Sequence, residues 1–164
     1  LDLTAADSGT LKLNYEHISI QESLDKIRSD IQSTLEFMGI KIIFSIDNPM
    51  QKIEIDKYCF EKIIKNLLTS AIGNSFVKNK IELKIYKKNR FIEIVTYGRW
   101  QEMNTLIDPI SKKTNNNEFT ATGIRLSIIK RFVEIHNGEI SIMNNTKNDS
   151  GIKIKLPIKK QTNL

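Results

Sequence analysis

The sequence predicts an α/β two-layer sandwich of the α+β kind, in which three helices cover one face of a mixed, mostly antiparallel sheet. Three observations carry that reading. Three segments repeat apolar residues every three or four positions, several others alternate apolar with polar residues, and short polar turns join pairs of the alternating runs. A chain of 164 residues with 40% hydrophobic content has the dimensions of one ordinary domain with a buried core.

The first helix is written in "SIQESLDKIRSDIQSTLEFMGI", where Ile20, Leu24, Ile27, Ile31, Leu35 and Met38 form one apolar stripe. Ser19 with Glu22 reads as a capping box, and Gly39 as the stop. Alternation takes over in "IKIIFSID", with Ile40, Ile42, Phe44 and Ile46 on one side; after the turn "DNPMQ" it returns briefly in "KIEID". The second helix is "KYCFEKIIKNLLTSAIGNS". Asp56 is its N-cap; Phe60, Ile63, Ile64, Leu67, Leu68 and Ala71 share a face, and Asn66, Ser70 and Gly73 lie on the flank.

"KIELKIYKK" and "FIEIVTY" predict an antiparallel hairpin closed at Asn89 and Arg90, with the second strand running to Gly98. From Arg99 to Thr122 periodicity is weak, and "SKKTNNNEFTATG" reads as an exposed lid or binding loop. A third helix follows, with Thr122 as cap, a stripe of Ile124, Ile128, Phe132 and Ile135, and Gly138 just past its end. "EISIMNN" and "GIKIKLPI" close the chain as a hairpin around "TKNDSG", and Glu82, Lys84, Glu93, Lys153 and Lys155 take the water-facing positions of their strands.

Composition narrows the function. The net charge of +6 is spread among acids, with no arginine-rich tract or RNA-binding aromatic signature, which argues against nucleic acid as a partner. Cys59 stands alone, so no internal disulfide can form, and its place in a helix reads as packing. His17 and His136 belong to no spaced metal-ligand cluster, and His136, just before a helix-ending glycine, reads as a packing or capping residue. No run approaches the roughly 20 apolar residues of a membrane span. The reading is a cytoplasmic, soluble piece without membrane contact of its own, and the abrupt start "LDLTAADSGTL" suggests that it is cut from a larger protein.

Several of these segments together resemble a known family. "FEKIIKNLLTSAIGNS", "LIDPI" and "ATGIRLSIIKRFVEIHNGEISI" are similar, in that order, to the asparagine-bearing helix, the short Phe-x-Pro-Phe-like segment and the glycine-led helix of the GHKL ATPases. The closest likeness is to the ATP-binding (HATPase) domain of bacterial two-component sensor histidine kinases, which implies a Bergerat-type ATPase fold. Residues 1–10 then resemble the end of the dimerisation helices with a linker, 11–160 the ATPase-like domain with a lid-like loop at about 99–122, and 161–164 a tail.

Carried over position by position, the resemblance implies an altered site. Active members have two asparagines four residues apart, then a lysine and an aromatic, which bind magnesium and phosphate; here these positions are Asn66, Ser70, Gly73 and Asn74. The aspartate that accepts from the adenine amino group and the two glycines after it correspond to Thr96, Gly98 and Trp100. The three glycines that wrap the phosphates correspond to Ala121, Gly123 and Arg125, and Arg125 is either a compensating cation or a solvent-facing side chain. The apolar stripes and caps are kept, while metal, adenine and phosphate contacts are all affected.

Asn66, Ser70, Thr96, Gly98, Gly123 and Arg125 are therefore read as a vestigial nucleotide site with no catalytic residue and no bound cofactor. The implied role is a docking or regulatory module, of pseudokinase or phosphotransfer type, for a response-regulator receiver domain or for the rest of the same protein. The alternative is an active kinase domain that binds ATP and magnesium at an atypical site, with Asn66 as a metal ligand. Dimerisation in this family belongs to the preceding helices, so the piece itself reads as monomeric or weakly associated, within a homodimeric parent that senses a signal from the cytoplasm or from a membrane anchor.

Overall fold

The computed structural model describes residues 12–47, 52–74, 80–98, 121–144 and 150–159, and within them all side chains except those of residues 74, 98, 121, 122, 144 and 150. Its elements run β1 (Tyr15–Ile18), α1 (Ile20–Met38), β2 (Lys41–Ile46), β3 (Ile53–Asp56), α2 (Lys57–Asn74), β4 (Lys80–Lys88), β5 (Phe91–Gly98), α3 (Ala121–Ile135), β6 (Glu139–Asn144) and β7 (Ser150–Pro157). The order is the one the sequence predicts. The expected lid region and the segment "LIDPI" lie outside the described residues, except that 121 and 122 are already helical.

The strands form two sheets. β2, β4, β5, β7 and β6 make a five-stranded sheet in that spatial order, while β1 and β3 pair as a separate antiparallel ribbon. Within the larger sheet β2 runs parallel to β4, with Ile42 opposite Ile81, and every other pairing is antiparallel. A parallel pair needs a crossover, and β3 with α2 supplies it.

α1 follows its sequence pattern closely. Ile20, Leu24, Ile27, Ile31 and Leu35 are buried, the Ser19 hydroxyl accepts the Glu22 N–H at 3.3 Å, and Gly39 is left-handed with φ 62°. Met38, predicted for the same stripe, is 46% exposed, because the helix ends there and its last side chain projects past the core. Asp56 caps α2 through Oδ1, which accepts the Cys59 N–H at 2.8 Å; its Oδ2 accepts the Asn14 N–H at 2.7 Å and ties down the approach to β1. The predicted α2 face, Phe60 through Ala71, is buried throughout.

α3 departs from expectation in two ways. Its first residue is Ala121, so Thr122 lies inside the first turn and is not the cap. Its core face is also rotated: Leu126, Ile129 and Val133 are buried with Phe132, whereas Ile124 is 43% exposed and Ile128 and Ile135 are half-buried. The helix carries apolar residues on nearly all sides, so periodicity left two stripes open and packing against α2 chose between them. The end is a Schellman turn with left-handed Asn137 (φ 54°), whose N–H donates to Glu134 O, while Gly138 N–H donates to Val133 O at 2.8 Å.

The core lies between the helices and the inner face of the larger sheet, where Ile81, Leu83, Ile85, Ile92, Ile94, Ile152, Ile154 and Leu156 alternate inward. Their outward neighbours are charged and paired: Glu93 binds Lys88 at 2.8 Å and faces Lys153 at 3.8 Å. Lys26–Glu61 at 2.8 Å and Lys65–Asp30 at 3.2 Å link α1 to α2 across the surface.

Candidate functional site

The sequence-predicted site residues sit on elements that pack together, since α2 lies against both α3 and β5. On α2, Asn66 is half-buried and its Nδ2 donates to Lys62 O at 2.8 Å, so the amide is held against its own helix. Ser70, one turn on, has 0% exposure. Gly73 is exposed, and a Cβ built on it would meet no atom within 4 Å. The backbone therefore does not require glycine there, and a Cβ meets open space.

On β5, Thr96 is fully buried and its Oγ1 has no hydrogen-bond partner among the described residues. An unsatisfied buried hydroxyl costs about 1 to 3 kcal/mol, which makes it informative about the space beside it. Its backbone is fixed from the far side. Thr96 pairs with Ile152, and a Cβ on Gly151 would lie 2.5 Å from Thr96 O, so β7 can approach this closely only with glycine. Gly98 ends the strand opposite Ser150. Trp100 lies outside the described residues.

Gly123 is buried and Arg125 half-buried in the first turns of α3. Gly123 is not among the residues with positive φ, and its carbonyl accepts the Ser127 hydroxyl at 3.0 Å. The backbone at this position is helical. The strain-relieving role of a turn glycine does not apply to it.

At the far end of α3, His136 is fully buried, with Nδ1 3.1 Å from Phe132 O. A carbonyl only accepts, so Nδ1 carries the proton, and Nε2 has no partner among the described residues. The Tyr15 ring meets His136 edge-on at 6.3 Å. Burial holds the imidazole below its usual range, against the opposing effects of the Phe132 carbonyl and the Asp56 charge. Cys59, 1% exposed, has its thiol pushed up to about 12 by burial and then by Asp56; it is a packing residue and not a nucleophile. Both outcomes match the sequence reading of these two side chains.

Among the described residues no group of three or more His, Cys, Asp or Glu is placed to hold a metal ion, and no helix is long and apolar enough to cross a membrane. The sequence reading passed over Ser23 and Glu61, each of which keeps a buried oxygen without a partner among the described residues. The signal for Ser23 was present: it is a hydroxyl beside Leu24 on the apolar face of α1.

No protein-family model matches the chain. Along 96% of its length it is 20% identical to the sensor protein KdpD of Escherichia coli and 26% identical to the sensor protein KdpD of Clostridium acetobutylicum. It spans only 18% of the length of each. Among solved structures it superposes on the Acinetobacter baumannii histidine kinase AdeS with a TM-score of 0.74 at 16% identity, over 96% of this chain and 74% of that one. The nucleotide-free catalytic domain of histidine kinase ThkA gives 0.69 at 18% identity, over 88% and 96%. ThkA in complex with the response regulator protein TrrA gives 0.71 at 18%, over 96% and 46%. The chain thus has the fold of a histidine-kinase catalytic domain, and the curated relatives that it matches along nearly its whole length are sensor proteins of that kind.

Proposed function

We propose that this histidine-kinase-like domain has lost Mg-ATP binding and serves as a docking or regulatory module of a two-component signalling protein. The observation that carries this reading is Ser70. At the position where the resemblance calls for the second metal-binding asparagine, α2 offers a short hydroxyl with no exposed surface. Magnesium demands a near-octahedral shell of oxygens, and a surface-reaching carbonyl oxygen is what the substitution removes. Asn66 remains, its Nδ2 donating to Lys62 O and its Oδ1 still able to ligate, but one such oxygen does not assemble a metal site. The residues present do not fit the metal.

Two further positions support the reading. Gly73 stands where the resemblance calls for a phosphate-binding lysine, although a Cβ at this position meets no atom within 4 Å. Thr96 lacks the charge of the aspartate that would accept from adenine, a change worth about 1.5 to 3 kcal/mol of binding. The natural partner is a response-regulator receiver domain, as in the ThkA complex with TrrA, or the remainder of the same protein.

A second reading is favoured by one observation. The Thr96 hydroxyl has no partner among the described residues, and on the resemblance a nucleotide base would supply one. Thermal melting separates the two: the proposed function predicts the same melting temperature with and without millimolar Mg-ATP, whereas a nucleotide-binding domain is stabilised by its ligand. Crosslinking to the receiver domain encoded with the parent protein tests the docking role, and absence of contact with both receiver and parent would refute it.

A further inference from the structure

β2 is an edge strand of the five-stranded sheet, and among the described residues it pairs only with β4. Asp47 N–H donates to Ile85 O on β4, and successive residues of a strand turn their backbone groups to opposite sides. The N–H and C=O groups of Ile42, Phe44 and Ile46 therefore point away from the sheet. An edge of this kind is a template for another strand unless a proline, a bulge or a charge blunts it. The β2–β4 register runs unbroken from Lys41 to Ile46, and between Lys41 and Asp47 stand Ile42, Ile43, Phe44, Ser45 and Ile46, with no proline and no charge. Phe44 and Ile46 are half-buried, and a groove of about 360 Å3, lined in part by Leu35, Ile40 and Ile42, opens between α1 and the strand.

What fits this edge is marked by the charges at its ends. Lys41 and Asp47 are both exposed, and neither has an ion pair among the described residues. They lie equally far from Phe44 in the sequence. A second copy laid antiparallel, with Phe44 on the two-fold axis, puts Ile42 opposite Ile46 and joins all the outward backbone groups in about six hydrogen bonds. The same register sets Lys41 of each copy against Asp47 of the other, at both ends. β6, the opposite edge, carries Glu139 and no cation through Asn144, so pairing it with itself gains no ion pair. On the helix side Arg28 stacks 4.6 Å over Phe44 and approaches its mate near the axis; Asp25 and Glu36, on the same flank of α1, supply the balancing carboxylates.

We propose that β2 is a self-association edge, to which a second copy of this chain adds antiparallel about Phe44 with Lys41 and Asp47 paired across the interface. The contact is isologous and closed, so association stops at the dimer. One short strand pair buries far less than the roughly 1,200 to 2,000 Å² of a stable complex, which places Kd at roughly 0.1 mM. The edge is independent of the nucleotide reading.

Sedimentation equilibrium of the chain, at concentrations up to about 1 mM, should show a monomer–dimer equilibrium near that Kd. Lys41→Glu and Asp47→Lys each bring like charges together at both ends and should weaken dimerisation about tenfold; both side chains are exposed, so the circular dichroism spectrum should not change. An equimolar mixture of the two variants restores opposite charges at both ends and should associate about as tightly as the unaltered chain. A chain that stays monomeric at about 1 mM, assembly beyond the dimer, dimerisation indifferent to the single charge reversals, or a mixture that fails to recover it would overturn the proposal.

Discussion

The His136 imidazole lies 3.1 Å from Phe132 O through Nδ1, and its Nε2 faces the interior without a hydrogen-bond partner among the described residues. Burial favours the neutral ring. Because burial lowers the folded-state pKa below 6.5, the unfolded chain binds a proton more readily than the folded one. Stability from this group is therefore complete above about pH 6.5 and is lost as pH falls below that value through the folded pKa. Urea midpoints measured from pH 8 down to pH 5 should decline, and His136→Phe should flatten the decline.

Asp56 closes two distant N–H groups, those of Cys59 and Asn14, from a residue 5% exposed. Asp56→Ala removes the cap of α2 and leaves the Asn14 N–H without its acceptor. A loss of about 2 kcal/mol is the expected outcome in chemical denaturation, with Asp56→Asn recovering part of it.

How far the sequence carries depends on which residues must be told apart. The stripe of α1 and the caps at Ser19, Gly39 and Asp56 are readable because each rests on local spacing or on one side chain meeting its own helix. The face of α3 was misread: Ile124 and Leu126 are equally apolar, and the choice between them is made by α2, which is distant in sequence. The separation of β1 and β3 from the main sheet is likewise a matter of long-range pairing, to which alternation is blind. At the candidate site the sequence nominated positions through a family resemblance. It could not give the burial of Ser70, the helical backbone at Gly123, or the orphaned oxygens of Thr96, Ser23 and Glu61, because each depends on what packs around it.

Two glycines should respond in opposite ways to the same substitution. Gly151→Ala drives a Cβ to 2.5 Å from Thr96 O, so β5 and β7 must separate, at a cost of about 2 kcal/mol or more. Gly73→Ala meets open space on an exposed helical position and should stabilise by about 0.5 kcal/mol. Denaturation midpoints of the two variants check the contrast.

Two substitutions on α2 separate an accommodating position from a packed one. Gly73→Lys places a cation at an exposed, unobstructed position on α2, and it should fold with a melting temperature close to that of the parent. Ser70→Asn must fit a larger side chain into a position with 0% exposure, so it should destabilise by about 1 to 3 kcal/mol. A paired comparison by thermal melting would show whether the surrounding core has adapted to serine.

Isothermal titration calorimetry of the chain with ATP and magnesium tests the central claim most directly. With Ser70, Gly73 and Thr96 at the positions proposed to correspond to the metal, phosphate and base contacts, no saturable heat is predicted up to millimolar nucleotide. A saturable isotherm with micromolar affinity would contradict the account.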